Sequence, residues 1–329
     1  MVVMGGWIAS QLKRLRAPEM VSIGVATGLI ATTNGGFPLR EIRNRGTLRA
    51  CRFVAAFLIM MSDAPANDQP DDVLHSCRRE SMTMACLLDL GRHPVIGHRG
   101  ASGSAPENTM QAFALAVEQG ADALEFDLRL SSDGVPVVIH DPTLDRTTDQ
   151  TGEVRACTAA RLAGLGVPRL VEVLERFRGT PLLIELKVAE VAEAARRLLL
   201  EHGAEQRSLI ASFLDEALVP FRDGGFHTSA SRRGIASLAF RSMVGLSAPL
   251  IPDQAYSVPD RYKDRIHVPT ERFIRSARKA GCPVHVWTVN DPARAVILWK
   301  RGASGMITNF PAPLLAERNR LFPGEASNS

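Results

Sequence analysis

The chain predicts an α/β fold: a (β/α)8 TIM barrel with a small insertion after its second strand-hairpin, behind a poorly ordered N-terminal extension. Three observations in the 329-residue sequence lead there. First, from about residue 92 short β-branched runs alternate with stretches of helical period. Second, nine strand candidates occur, at 94–98, 123–129, 135–140, 181–187, 208–213, 227–231, 254–258, 283–289 and 305–308. Only "SSDG" (131–134) separates the second from the third. A parallel crossover needs a dozen or more residues, so these two form a hairpin and eight strands remain for a parallel set. Third, the length of the alternating region falls near the lower end of the range for such barrels. A doubly wound open sheet is the fallback.

The helices are justified one by one. After Asn108, Met110, Phe113, Ala114 and Val117 recur at i, i+3, i+4, i+7. Leu170, Val173, Leu174 and Phe177 repeat that spacing, as do Val191, Ala194, Ala195 and Leu198. Asn108 or Thr109 caps the first of these helices, and Gly120 and Gly203 are stop signals. Between 232 and 262 neither strand nor helix has a clear period. Residues 1–91 form the extension, 92–322 the barrel domain and 323–329 a tail. The extension mixes Gly pairs, an Arg-rich run and the polar "SDAPANDQPDD", and buries little. Met82 and Met84, just before the folded part, also fit an over-extended reading frame.

Composition excludes several classes of function. The formal charge of +4 comes almost wholly from residues 1–81, with ten Lys/Arg and seven Asp/Glu; the remainder holds 29 against 28. No basic stripe interleaved with aromatics appears, so nucleic acid is not an expected partner. The five cysteines, at 51, 77, 86, 157 and 282, are irregularly spaced and suit free thiols in a reducing compartment. No apolar run approaches the ~20 residues that span a bilayer, so no stable membrane insertion is expected. The shorter runs "VSIGVATGLIA" (21–31) and "FVAAFLIMM" (53–61) leave export as an alternative to a cytoplasmic location, although the second lies too deep for an ordinary signal. The oligomeric state is left open.

In such a barrel the active site lies at the C-terminal ends of the strands. The first strand ends in His98-Arg99, the second carries Glu125 and Asp127, its hairpin return ends in His140-Asp141, and "LLIELK" places Glu185 and Lys187 on one face. Singly these are weak: a strand-end His is usually a hydrogen-bonded core residue, and an E-x-K pair usually a surface ion pair. Strand parity changes the weighting. Leu124, Phe126, Ile184 and Leu186 take the other face, so the carboxylates point inward, where unpaired charge is prohibitive. Three inward carboxylates call for a metal, and oxygen-only ligation favours Mg²⁺ or Ca²⁺ over Zn²⁺. Two imidazoles beside such a cation, with Arg99 and Lys187 at hand, suit phosphoester chemistry: the cations neutralise phosphoryl oxygens and the imidazoles move protons.

The stretch "GHRGASGSAPENTMQAFALAVEQGADALEFDLRLSSDGVPVVIHDPTLDRTT" resembles the signature of the glycerophosphodiester phosphodiesterase family, and "IELK" (184–187), "VWTVN" (286–290) and "GMITNFP" (305–311) extend the match. The resemblance implies a TIM barrel that hydrolyses a small-molecule glycerophosphodiester to sn-glycerol 3-phosphate and an alcohol, with one divalent cation, Mg²⁺ or Ca²⁺ and also Mn²⁺. It implies His98 and His140 as the general acid/base pair, and Glu125, Asp127 and Glu185 as metal ligands. Arg99 and Lys187 match its phosphate contacts, Trp287 its substrate-side aromatic, and Glu107 and Asn108 the "EN" behind the first strand. Asn108 is equally readable as a plain helix cap. Residues 142–168 fit the family's insertion after the second histidine. Two positions depart from the pattern: Asn309 replaces an Asp and Arg169 a Thr, neither expected to carry the chemistry. The alternatives are a phospholipase C- or D-like enzyme acting on lipid head groups and an inactive ligand-binding barrel.

Overall fold

The computed structural model describes residues 85–222, 225–262 and 266–325, and the expectations for residues 1–84 lie outside these. In chain order the first half contains α1 (Ala85–Leu88), β1 (Val95–His98), α2 (Met110–Glu118), β2 (Ala123–Leu130), β3 (Pro136–Val138), α3 (Ala159–Gly164), α4 (Leu170–Arg176), β4 (Leu182–Leu186) and α5 (Ala192–Glu201). The second half contains β5 (Ser208–Ala211), α6 (Asp215–Arg222), β6 (His227–Thr228), α7 (Arg232–Met243), β7 (Tyr256–Pro259), β8 (Arg261–Tyr262) and β9 (Ile266–His267). It ends with α8 (Glu271–Lys279), β10 (Val284–Trp287), α9 (Pro292–Lys300), β11 (Met306–Thr308) and α10 (Pro311–Leu321).

Eight strands pair in the order β6-β5-β4-β2-β1-β11-β10-β7, every neighbour parallel. A parallel bridge between Ser229 and Ala255 joins the two ends of that path and closes the ring. Ser257 N donates to Ser229 Oγ (2.9 Å) and Ala230 N to Ala255 O (2.8 Å) across the same seam. β3 returns antiparallel to β2, with Leu128 opposite Val138, around a turn whose Gly134 has φ +76°. The expected hairpin is therefore present and the barrel fold stands. The small β8–β9 hairpin was not legible, because its strands are two residues each and carry no alternation.

Parity divides the core. Phe126, Leu128, Ile184 and Leu186 face outward and pack with Phe113, Val173 and Phe221 of the helices. Ile96, Ala123, Leu183, Leu209 and Ile307 fill the barrel interior. Shifting a strand by one residue would exchange these faces, so the burial of large side chains outside is what holds the carboxylates inside. Leu170, Val173, Leu174 and Phe177 are buried as their spacing predicts. In α2 and α5 the buried face is rotated: Ala112, Phe113 and Ala116 are covered while Val117 is exposed, and Ala195 and Leu199 lie deeper than Ala194 and Leu198. Small alanines at these positions let each helix approach the sheet closely.

Folded structure extends past both expected edges of the barrel. Leu87 of α1 is fully buried in the barrel's interior cluster, and its carbonyl accepts a hydrogen bond from His285 Nε2 (2.8 Å). Glu325, from the expected tail, accepts from His93 N and pairs with His93 Nδ1, both at 2.8 Å. The insertion at 142–168 has its own small core of Leu144, Val154, Leu162 and Val167 against Val137 and Ile139. Cys157 and Cys282 are free thiols.

Candidate active site

At the end of β1 the chain reverses sharply. Arg99 adopts φ +55° and Asn108 φ +57°, a left-handed conformation that costs a non-glycine residue roughly 1–2 kcal/mol. Hydrogen bonds offset this: Arg99 N donates to Glu125 Oε2 (2.8 Å), and Asn108 N to Arg99 O (3.0 Å). Asn108 is not the helix cap. Thr109 accepts from Ala112 N (3.2 Å) and caps α2, which leaves the buried Asn108 Nδ2 to donate to Asp127 Oδ2 (3.0 Å).

Glu125, Asp127 and Glu185 converge as expected, each offering an oxygen within 4.8 Å of the other two. Burial raises Glu125 well above its ordinary pKa, and Asp127 and Glu185 raise it further. Burial also raises Glu185, only partly countered by Lys187. Asp127 is held low because Lys187 and Arg99 outweigh its burial. Lys187 Nζ lies 2.9 Å from Glu185 Oε1 and 3.2 Å from Asp127 Oδ1, and Arg99 Nε lies 3.2 Å from Asp127 Oδ2. The two 3.2 Å contacts are ion pairs off hydrogen-bonding angles, so the buried Asp127 Oδ1 has no hydrogen-bond donor. A buried carboxylate oxygen with no donor, among two more carboxylates, is a donor set that suits a hard divalent cation.

The two histidines stand in unlike settings. His98 Nδ1 meets the amide oxygen of Asn309 at 2.7 Å. Burial, with Arg99 adding to it, lowers the His98 pKa to about 4. Its ring is therefore neutral at pH 7, with Nδ1 carrying the proton it donates to Asn309 and Nε2 left as an acceptor. His140 Nδ1 instead meets the Asp141 carboxylate at 2.6 Å. Asp141 is in turn bound by Arg146 Nε (2.6 Å), the foremost reason its pKa lies far below the usual carboxylate range. Asn309, not expected to carry the chemistry, lies in contact with it: β11 lies beside β1 and delivers the residue onto His98. Arg169 does lie apart, at the start of α4, where its N–H donates to Glu172 Oε2 (2.7 Å).

His98, Arg99, Glu125, His140, Glu185 and Lys187 line one side of a cleft. The other side carries no charged side chain among its lining residues; there Trp287 meets Phe213 edge-on at 6.1 Å, beside Ile235 and Ser257. Glu107 stands behind the cleft, bridging Arg99 Nη1 (2.8 Å) and Arg146. No role in the site was legible in the sequence for Asn309, Asp141, Arg146 or Phe213. The adjacent "HD" and the "DRTT" that follows it were the available signals for two of them.

Comparison with known proteins agrees with this geometry. The family model described as "Glycerophosphoryl diester phosphodiesterase family" matches residues 98–313. A glycerophosphodiester phosphodiesterase of Caldanaerobacter subterraneus is 30% identical over 244 residues, 67% of this chain and 96% of its own. The crystal structure of glycerophosphodiester phosphodiesterase from Agrobacterium tumefaciens aligns with TM-score 0.56 at 29% identity, covering 68% of this chain and 99% of that one. A phosphodiesterase of Oleispira antarctica, solved with the product sn-glycerol-3-phosphate, aligns with TM-score 0.57 at 26% identity over 69% and 97% of the two chains. A closed parallel barrel, the convergent site and these likenesses agree: the chain belongs to the glycerophosphoryl diester phosphodiesterase family and is a phosphodiesterase.

Proposed function

We propose that the chain hydrolyses a glycerophosphodiester to sn-glycerol 3-phosphate and an alcohol, with His98 and His140 dividing the proton transfers. The carrying observation is the unlike pairing of the two imidazoles, one on an amide and one on a carboxylate, across a carboxylate cluster. Neutral His98, Nδ1–H bound to Asn309, offers Nε2 as the base that takes a proton from the attacking water. The Asp141 carboxylate stabilises an imidazolium better than an amide oxygen does, which suits His140 to protonate the departing alkoxide. Arg99 and Lys187 hold the phosphoryl oxygens, since each is already drawn to this point by carboxylates. Glu125, Asp127 and Glu185 would hold one divalent cation, Mg²⁺ or Ca²⁺ with Mn²⁺ a third candidate. When bound, that cation neutralises charge developing on the phosphoryl group.

The test is a panel of glycerophosphodiesters assayed with and without EDTA, scoring glycerol 3-phosphate. Release that chelation abolishes and a divalent cation restores is the expected result. Full turnover in a metal-stripped preparation would remove the metal from this reading, and phosphocholine as product would replace it with a phospholipase C-like one.

A further inference from the structure

An apolar ridge lies away from the cleft. Phe240, Met243 and Val244 share one face at the C-terminal end of α7, and Leu246 and Leu250 follow in the loop to β7. Phe240 is 63% exposed, Met243 70% and Leu250 105%, and the other two are more than half exposed. Single exposed apolar residues are ordinary, but five within eleven residues form a patch that calls for a partner.

The charge around that ridge is predominantly positive. No Asp or Glu occurs from Gly225 to Pro252. Arg272, Arg275 and Lys279 of α8 line a groove together with Leu246, Leu250 and Ile251. Among the described residues Arg241, Arg272 and Lys279 make no ion pair; Arg275 pairs with Glu271 at 2.5 Å. Arg241 Nε donates to Ser247 O (2.6 Å) and Arg272 Nη1 to Met243 O (3.4 Å), contacts that leave their charge uncompensated. Asp253 also lines the groove, but it is buried and held by Arg222 and Thr228.

We propose that this face docks on an anionic lipid bilayer. The apolar side chains project, Leu250 most of all from a loop held between Pro249 and Pro252, and so stand proud beside a groove edged by Arg272, Arg275 and Lys279. A bilayer demands no shape match. Apolar tips enter the interface while the flanking Arg and Lys sit among the headgroup phosphates. The loop feeds the N-terminal end of β7, whereas the catalytic side chains stand at C-terminal strand ends, and the groove and the cleft share no lining residue. Docking therefore leaves the cleft open to water, and it is separable from turnover.

The test is co-sedimentation of the full chain with phosphatidylcholine vesicles, with and without phosphatidylglycerol. Binding to the anionic vesicles, weakened by salt, is expected. It should fall by about tenfold or more in Phe240→Ser/Leu250→Ser and, independently, in Arg272→Glu/Lys279→Glu. Turnover of a soluble glycerophosphodiester should be unchanged in both, which also shows that they fold; should one pair fail to fold, the other decides. Three outcomes overturn the proposal. The full chain ignores anionic vesicles; or both variants bind as the parent does, assigning the attraction to another segment; or a parent dimer in sedimentation equilibrium dissociates in Phe240→Ser/Leu250→Ser, making the ridge a contact between copies.

Discussion

Arg146 grips Glu107 through two parallel hydrogen bonds, Nη1 to Oε2 and Nη2 to Oε1, both 2.7 Å. The same guanidinium holds Asp141, and Glu107 also holds Arg99. An alternating chain of charge thus runs from Asp127 through Arg99, Glu107, Arg146 and Asp141 to His140. Glu107, although partly buried, stays low in pKa because Arg146 and Arg99 outweigh that burial. The chain ties the insertion to the turn after β1 and aims both the phosphate-binding arginine and the second histidine.

Breaking it should cost rate more than binding. Arg146→Met frees Asp141 to rotate and leaves Glu107 one partner short. A drop of roughly 10- to 100-fold in kcat, with KM changed less, is expected from a misaligned proton donor. Arg146→Lys keeps the charge but not the fork, and should fall between. Steady-state kinetics of both, with Glu107→Gln to complete a double-mutant cycle, checks this; additive effects would show the chain is not coupled.

The amide on His98 has a consequence in pH. With Asn309, the His98 pKa is about 4, so its base form persists well below neutrality. Asn309→Asp puts a carboxylate at the same 2.7 Å contact and favours the imidazolium, which raises that pKa. Protonated imidazole cannot accept a proton, so the acidic limb of kcat/KM should move to higher pH in the variant. The profile, taken at saturating divalent cation, should show this shift; a limb that stays in place would mean His98 is not the base.

A leaving group separates the histidines. The alkoxide from choline or glycerol needs a proton on departure, whereas p-nitrophenolate leaves largely unaided, and general acid catalysis is worth ~10²–10⁴-fold. His140→Ala should therefore be largely rescued on a p-nitrophenyl diester, and His98→Ala should stay impaired on both substrates. Rescue of His98→Ala in its place would reverse the assignment.

Much of this was legible before the fold. Glu125 and Asp127, alternating with Leu124, Phe126 and Leu128, declare an inward face by alternation alone, and "SSDG" forces the hairpin. Partnerships across the barrel were not legible. Asn309 meets His98 over 211 residues of separation and Arg146 meets Glu107 over 39, contacts made only when β11 closes on β1 and the insertion folds over the turn. In the sequence Asn309 reads as a departure that bears on substrate preference and not on the reaction class. Asn108 had two readings, cap or site, and the choice rests on backbone: at φ +57° it cannot cap as Thr109 does.

The other end of the barrel holds a second buried histidine. His285 is fully buried, its Nε2 donates to Leu87 O at 2.8 Å, and its Nδ1 has no partner. Burial lowers its pKa from 6.5 to about 4. The unfolded chain therefore binds a proton between pH 6.5 and 4 that the folded chain refuses. Stability from this group is complete above pH 6.5 and lost as pH falls towards 4, on the order of 3 kcal/mol in all. Glu125 and Glu185, both raised, act in the opposite sense, so only a difference isolates His285. Urea midpoints of the parent should fall more steeply over that window than those of His285→Gln, which has nothing to protonate. The contact also sets how much of the N-terminus the barrel needs. A chain beginning at Met82 retains Leu87 and should match the parent in stability and turnover. One beginning at His93 loses a fully buried leucine, worth about 1.5–3 kcal/mol, and leaves a buried N–H without its acceptor, about 1–3 kcal/mol more. Its urea midpoint should drop clearly, and equal midpoints for the two chains would show that α1 is dispensable.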